Sequence, residues 1–188
     1  MIETTLKDKV PPHDIEAERA VLGALLLNWG AMGDVIGKLR PERFYSLQNQ
    51  VIFEALTELF SHNIHGDTLT LVDQLRKNNK LEQAGGTAYI ASLTDTVPSS
   101  ANIEYYADIV LDRATRRDLI KISSELKAES FELGRESTAL LDTAEQRIFA
   151  LAERNETTVI HDARNIMIKE IEIIDARYNS KNQFTGIP

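Results

Sequence analysis

The 188-residue sequence contains no cysteine. Disulfides, thiolate metal ligands and cysteine nucleophiles are therefore excluded, and a reducing compartment such as the cytosol is indicated. No apolar run approaches the ~18 residues needed to cross a membrane, and the first ten residues lack the apolar segment of a signal peptide. We expect a soluble, cytoplasmic protein with no membrane partner.

Glycine is scarce, and no glycine-rich phosphate-binding motif is present. Neither Gly-x4-Gly-Lys-Ser/Thr nor Gly-x-Gly-x2-Gly occurs, and the pair Gly85-Gly86 lacks the following lysine. The formal net charge of −8 argues against a nucleic-acid-binding surface over most of the chain. We expect no catalytic, cofactor-binding or metal-binding residue in this segment.

Helical periodicity dominates the sequence, and alternating strand patterns are nearly absent. The sequence therefore predicts an all-α fold that starts with a flexible leader, residues 1–13, and a compact helical head, residues 14–99. Within the head, Asp14 and Ser46 are predicted helix caps, and Thr70-Leu-Val-Asp73 has the spacing of a capping box. Gly23 interrupts an apolar helix and is expected to permit close helix packing.

Residues 100–153 are predicted to form a long antiparallel helical hairpin. No proline or glycine occurs from Asn102 to Glu132, Leu133-Gly134 breaks the helix, and a return helix runs from about Thr138 to Ala152. Such a hairpin has a long outer face on which subunits commonly meet. The residues expected at that interface are Leu119, Ile122, Leu126, Leu141, Ile148 and Leu151.

Residues 154–188 are predicted to be a linker that carries a detached amphipathic helix. Six apolar residues recur there at spacings of three and four, which places them on one helical face: Ile160, Ala163, Met167, Ile171, Ile174 and Tyr178. Half-burying them is worth on the order of 5 kcal/mol, so we expect this helix to dock on a partner.

The only basic cluster consists of Arg113, Arg116 and Arg117. Because Asp112 and Asp118 flank it, we expect local ion pairs on a solvated helix face, with contact to a phosphate or a partner as the alternative. His62 and His65, three residues apart, and the dipeptide His161-Asp162 suggest a second alternative, a helical metal-dependent phosphohydrolase. No convincing third ligand accompanies the histidine pair.

Several segments, taken in order, resemble the amino-terminal region of DnaB-type bacterial replicative DNA helicases. They are Pro12–Leu27 (PHDIEAERAVLGALLL), Leu81–Gly86 (LEQAGG) and Pro98–Val110 (PSSANIEYYADIV). The last is the most specific, and the resemblance extends from about Pro12 to Pro188. The order and spacing of the segments carry the resemblance more than any one of them.

The resemblance implies that this chain is the N-terminal domain and linker helix of a longer protein. Thr185-Gly-Ile-Pro188 resembles the start of a RecA-like ATPase domain, which would bind ATP and Mg²⁺ and most of the DNA. The whole protein would be a homohexamer that unwinds duplex DNA 5′ to 3′ at the replication fork. Its N-terminal domains would pair through their hairpins into a trimer-of-dimers collar that recruits primase, with a helicase loader as a further partner. The linker helix would dock on a neighbouring subunit's ATPase domain.

A function of a different class is a stand-alone helical scaffold or adaptor whose terminal helix binds an unrelated partner. A phosphate-binding loop encoded shortly after Pro188 would decide against the adaptor, and absence of metal from the purified protein would eliminate the phosphohydrolase.

Overall fold

The computed structural model describes residues 10–97, 99–132, 134 and 136–155. The chain divides into two units, Met1–Asn155 and Glu156–Pro188, and the described residues belong to the first unit. The predicted docking stripe from Ile160 to Tyr178, the dipeptide His161-Asp162 and the segment Thr185–Pro188 lie outside the described residues.

The described residues form α-helices joined by short turns, with no strand among them, which confirms the all-α prediction. Three of the connections contain a turn of 3₁₀ helix. The α-helices are α1 (Ile15–Leu27), α2 (Met32–Lys38), α3 (Leu47–Ser61), α4 (Thr68–Lys77), α5 (Gly86–Asp95), α6 (Ile103–Ser130) and α7 (Ser137–Asn155).

Helix α1 is the centre of the head, because nine of its thirteen residues are buried. It packs against α3, α5 and α6, and Val21, Leu22 and Leu25 are fully inaccessible to solvent. Gly23 faces α5 so closely that an added Cβ would lie 2.2 Å from the carbonyl oxygen of Leu93. The predicted close helix packing at Gly23 is therefore confirmed.

Among the described helices, none is by itself long and apolar enough to cross a membrane. One pair, Ile15–Leu27 and Trp29–Lys38, passes that test jointly by length and composition, but it is bent by 116°. Its first member is the buried helix α1, so the apolar character of the pair is accounted for by the head's own core.

The helix caps show which local predictions hold. Asp14 caps α1, and its carboxylate accepts a hydrogen bond of 2.9 Å from the backbone N–H of Ala17, as predicted. The capping box predicted at Thr70 is wrong, because α4 begins at Thr68 with Asp67 as its cap. Asp67 accepts both the backbone N–H and the hydroxyl of Thr70, each at 2.8 Å. Thr70 thus lies inside the helix.

Helix α6 belongs to both parts of the unit. Its first half lies in the head, where Ile103, Ala107, Val110 and Ala114 are buried. Its second half has no buried residue and packs against α7 instead. At 28 residues α6 is about 42 Å long, and the predicted uninterrupted helix from Asn102 to Glu132 is confirmed to within two residues at each end. A turn containing Gly134 connects it to α7.

Candidate functional site

The hairpin formed by α6 and α7 exposes six large apolar side chains beyond the point where α6 leaves the head. We define the hairpin surface as the exposed residues Leu119, Ile120, Phe131, Leu141, Ile148 and Phe149. Contiguous exposed apolar side chains typically mark a place where another protein binds. On α7, Leu141, Ile148 and Phe149 are seven and eight positions apart and share one face of the helix.

The six residues that the sequence assigned to the hairpin interface differ in exposure. Leu119, Leu141 and Ile148 are exposed, whereas Ile122 and Leu126 are half-buried and Leu151 is buried. In a two-helix hairpin, the apolar residues of each helix must supply both the contact with the other helix and any outer apolar surface. Their spacing of three and four residues alone does not show which residue has which role.

Three members of the hairpin surface were not in the predicted set: Ile120, Phe131 and Phe149. Each was detectable in principle. Phe149 lies eight residues after Leu141, and Phe131 lies eleven residues, about three turns, after Ile120. The predicted stripe followed one row of residues along each helix and omitted the row beside it.

An ion-pair network joins the two helices of the hairpin. Arg147 on α7 donates to Glu129 Oε1 from Nη2 at 2.8 Å, and its Nη1 lies 3.8 Å from Glu125 Oε2. Glu125 and Glu129 are one turn apart on α6 and therefore occupy the same face. This arginine, which pairs with one carboxylate and lies near a second on the facing helix, favours the observed alignment of α7 along α6.

The structure separates the three arginines of the basic cluster. Arg113 and Arg116 both pair with Asp112, at 2.6 and 3.0 Å. The Arg116 guanidinium, with help from Arg113, holds the pKa of the Asp112 carboxyl below its ordinary value of 3.8. The side chain of Arg116 remains 60% exposed, so a partner reaches it more easily than it reaches Arg113.

Arg117 points the other way, into the junction between the hairpin and the head. It donates to the backbone oxygens of Pro12 at 2.8 Å and Arg43 at 2.6 Å, and it lies 5.7 Å from the ring centroid of Tyr45. Burial lowers the pKa of this guanidinium, while the carboxylates of Glu18 and Asp118 oppose that shift. The arginine stays charged, because a guanidinium is not deprotonated in proteins.

Beneath this junction lies a buried carboxylate that the sequence did not identify. Glu18 on α1 is 1% exposed and accepts hydrogen bonds from the backbone N–H of Tyr45 at 2.6 Å and of Ser46 at 3.2 Å. It also accepts the side-chain amide of Asn49 at 2.9 Å, and Asn49 in turn accepts the Tyr89 hydroxyl at 2.7 Å. A buried carboxylate needs such donors to replace the water that it loses.

The same contacts correct the prediction for the start of α3. Ser46 occupies the cap position, but its hydroxyl makes no hydrogen bond to the helix end. The backbone that leads into α3 is held by Glu18 from another helix instead. Glu18 lies in the first turn of α1, but its hydrogen-bond partners are residues 27 to 31 positions away.

The histidine pair of the metal interpretation lies at the end of α3. His62 follows the last residue of that helix, and the His65 ring packs 5.9 Å from the Trp29 ring. Within the part of the chain that is described, no group of three or more histidine, aspartate or glutamate side chains is placed to hold a metal ion. His161 and Asp162 lie outside the described residues.

Comparison with protein-family models identifies a domain that covers more than half of the chain. Residues 10–112 match the DnaB-like helicase N-terminal domain. This range contains the whole head and the first ten residues of α6.

Comparison with curated proteins gives relatives that cover nearly all of the chain. The replicative DNA helicase DnaB of Treponema pallidum (strain Nichols) is 41% identical over 97% of this chain, which aligns with 42% of that protein. The replicative DNA helicase DnaC of Bacillus subtilis (strain 168) is 33% identical over 97% of this chain and 40% of its own length. The chain therefore spans about two fifths of the length of these relatives.

Solved structures with the same architecture are also similar. The N-terminal domain of DnaB helicase from Mycobacterium tuberculosis superposes with a TM-score of 0.70 at 32% identity, covering 76% of this chain and 99% of that one. A DnaB-like replicative helicase, described together with its interactions with primase, has a TM-score of 0.59 at 22% identity. It covers 93% of this chain and 37% of its own, and at that identity the likeness concerns the fold alone. On the family match and on the likeness to the mycobacterial domain, this chain belongs to the DnaB-like helicase N-terminal domain family.

Proposed function

We propose that this chain is the amino-terminal collar and linker of a hexameric replicative DNA helicase. In this proposal its head and hairpin assemble the ring, and ATP and Mg²⁺ bind in an ATPase domain outside the chain. ATP-dependent 5′ to 3′ unwinding at the replication fork, and most of the DNA contact, belong to that domain. The collar's task is to hold subunits together in the cytoplasm and to recruit primase and a helicase loader.

The observation that carries the proposal is the exposed apolar hairpin surface on a member of this family. Leu141, Ile148 and Phe149 are each more than half exposed on one face of α7. When two copies pair through the same surface, each subunit buries the same apolar side chains, so every residue of the surface contributes twice to the dimer. Three such pairs can close a ring of six if a second contact joins one pair to the next.

We propose the partners partly on the basis of a structural relative. A structural relative is described with its interactions with primase, which supports primase as a partner of this collar. For the linker we propose that the apolar residues from Ile160 to Tyr178 dock on the ATPase domain of an adjacent subunit. Arg116 and Arg113 are the members of the arginine cluster that we propose for contact with a phosphate or another partner.

Self-association through the hairpin is tested on the 188-residue protein by sedimentation velocity over a range of concentrations. The variant Leu141→Ser/Ile148→Ser/Phe149→Ser replaces the apolar face of α7 and keeps the helix. Because each substitution is present on both subunits, removing about 1 kcal/mol or more of burial per side chain predicts a dissociation constant at least about 10⁴-fold weaker. The matched control is Leu69→Ser in α4, since Leu69 is 79% exposed on the head.

Two results would contradict this part of the proposal. One is a wild-type protein that sediments as a 21.1 kDa monomer at every concentration. The other is a triple variant that associates as tightly as the Leu69→Ser control. Co-elution of a bacterial primase with the wild-type protein tests the recruitment role separately, and failure to bind it would favour the stand-alone scaffold.

A further inference from the structure

The place where the hairpin leaves the head is held by a reciprocal set of polar contacts. Arg117 on α6 donates to the backbone oxygen of Arg43 at 2.6 Å, and the Arg43 side chain donates back to Asp118 on α6 at 2.6 Å. Arg117 also holds Pro12 at the entry to α1. We call Arg43, Arg117 and Asp118 the junction clamp.

The clamp acts at the last point at which α6 touches the head core. Ala114 is the last buried residue of α6, and Arg117 and Asp118 follow it by about one turn. Beyond them α6 continues to Ser130 as part of the hairpin. The clamp is therefore placed just beyond the part of α6 whose side chains are buried against the head.

The two arginines of the clamp are largely covered, whereas the side chain of Asp118 is 45% exposed. The Arg43 side chain is 12% exposed, and Arg117 is half-buried over the Tyr45 ring. Asp118 pairs directly with Arg43, and the charges of Glu18 and Asp118 both act on Arg117. Because Glu18 also binds the backbone of Tyr45 and Ser46, the loop that carries Arg43 is anchored from both sides.

A small rotation at this point is amplified along the hairpin. The thirteen residues from Asp118 to Ser130 span about 18 Å, so a rotation of about 10° would displace the hairpin end by about 3 Å. No glycine or proline interrupts α6 to absorb such a rotation.

We propose that the junction clamp sets the angle between the hairpin and the head. Where two copies pair through their hairpins, which rests on the proposed function, the same three residues also set how far apart the paired heads lie. Arg117 is then a positioning residue of the assembly and not a contact for a phosphate or partner. This assignment replaces, for Arg117 alone, the partner-contact role considered from the sequence.

The angle is measurable by spin-label distance spectroscopy on the 188-residue protein. Because the sequence has no cysteine, labels at Ala88→Cys on α5 and Ala139→Cys on α7 give one head-to-hairpin distance without background. Both positions are exposed. Dilution with unlabelled protein removes distances between copies.

Arg117→Ala is expected to broaden or shift the distance distribution, about twofold in width, as the hairpin samples further angles. Arg117→Lys is expected to give an intermediate width, because an ammonium does not reproduce the planar fork that spans two carbonyl oxygens. Arg116→Ala, one position earlier on the exposed face of the same helix, is the matched control and is expected to leave the distribution unchanged.

Circular dichroism and thermal unfolding show whether each variant folds. If Arg117→Ala does not fold, Asp118→Asn and Arg117→Lys carry the test, since both retain the packing of the junction. A wild-type distribution in the folded clamp variants overturns the proposal. Loss of binding to a short single-stranded DNA in Arg117→Ala, with the distance unchanged, overturns it in favour of a contact role. Neither result bears on whether the hairpins associate, which sedimentation tests.

Discussion

At the scale of single residues, two glutamates of the head have the same residue type but very different surroundings. Glu16 and Glu18 are two residues apart in the first turn of α1, yet Glu16 is exposed and Glu18 is buried beneath three hydrogen-bond donors. A sequence pattern assigns both to the same favourable end of the helix dipole. Only the fold, which brings Tyr45 and Asn49 onto α1, distinguishes them.

Gly23 illustrates the opposite case, in which a local irregularity correctly indicated a tertiary contact. A glycine in the middle of an apolar helix costs about 1 kcal/mol relative to alanine, so its presence predicted a close approach. The approach is to a backbone oxygen, that of Leu93, which cannot move as a flexible side chain can.

We therefore expect Gly23→Ala to destabilise the protein by about 2 kcal/mol or more, since the overpacking cost of 1–3 kcal/mol or greater outweighs the gain in helix propensity. Gly37→Ala in α2 is the matched control, because nothing lies within 4 Å of the Cβ it would add. That variant should be more stable than the wild type by up to about 1 kcal/mol in its free energy of unfolding. Urea unfolding of both variants measures the difference, and equal stabilities would show that α1 and α5 can separate without cost.

At the scale of elements, the long helices were predictable and the caps only partly so. The uninterrupted run through α6 and the break near Gly134 are local properties of the chain. At α4 two side chains fit the capping rule, Asp67 and Thr70, and the structure selects the one whose carboxylate accepts two donors. At α3 the side chain of the expected cap, Ser46, makes no hydrogen bond to the helix end, and its backbone N–H is bound by a carboxylate 28 residues earlier, which no local rule includes.

The cap of α4 gives a pH prediction. Hydrogen bonds from the backbone N–H and then the hydroxyl of Thr70 lower the pKa of Asp67 below its ordinary 3.8. A carboxyl whose folded pKa is depressed stabilises the protein above the unfolded value and loses that contribution as pH falls through the folded value. The contribution of Asp67 is thus complete well above pH 3.8 and decreases below it.

Asp67→Asn keeps an acceptor for the helix end but removes the titration. It should match the wild type within about 0.5 kcal/mol at pH 7, whereas Asp67→Ala should lose about 1 kcal/mol there. Below pH 3.8 the wild type should lose stability relative to Asp67→Asn, as measured by urea unfolding between pH 3 and pH 7. A constant difference between the two across this range would mean that another carboxyl carries the acid dependence.

The hairpin marks the limit of sequence-based prediction for the site. Its existence, length and apolar character were evident from periodicity, but the division of apolar residues between the inner and outer faces was not. Leu151 is buried while Ile148, three residues away, is exposed, because α7 packs against α6 along one side only. Arg147, which pairs with Glu129 and lies 3.8 Å from Glu125, is on that side, and this contact between helices is not visible in a local pattern.

At the scale of the whole molecule, the head and hairpin carry a core of their own. The buried apolar residues of the described part run from Ala17 to Leu151, and the boundary between the two units follows Asn155. The arginines of the junction act within this first unit as well. A chain that ends at Asn155 should therefore fold, with a thermal midpoint within about 2–4 °C of the full chain, which corresponds to a change of about 1 kcal/mol or less.

We predict that removing the predicted docking helix impairs assembly of the hexamer and not folding of the first unit. In the longer helicase of which we propose this chain to be part, removal of residues 160–188 should leave folded head and hairpin units but abolish hexamers that hydrolyse ATP. A point variant on the predicted stripe, Met167→Asp, should weaken hexamers in the same direction, whereas Lys169→Asp, off the stripe, should not. Light scattering and ATP hydrolysis measure both effects. Active hexamers formed by the truncated helicase would show that the apolar stripe is not needed for assembly of the ring. An unfolded 1–155 chain would show that the first unit needs the second unit in order to fold.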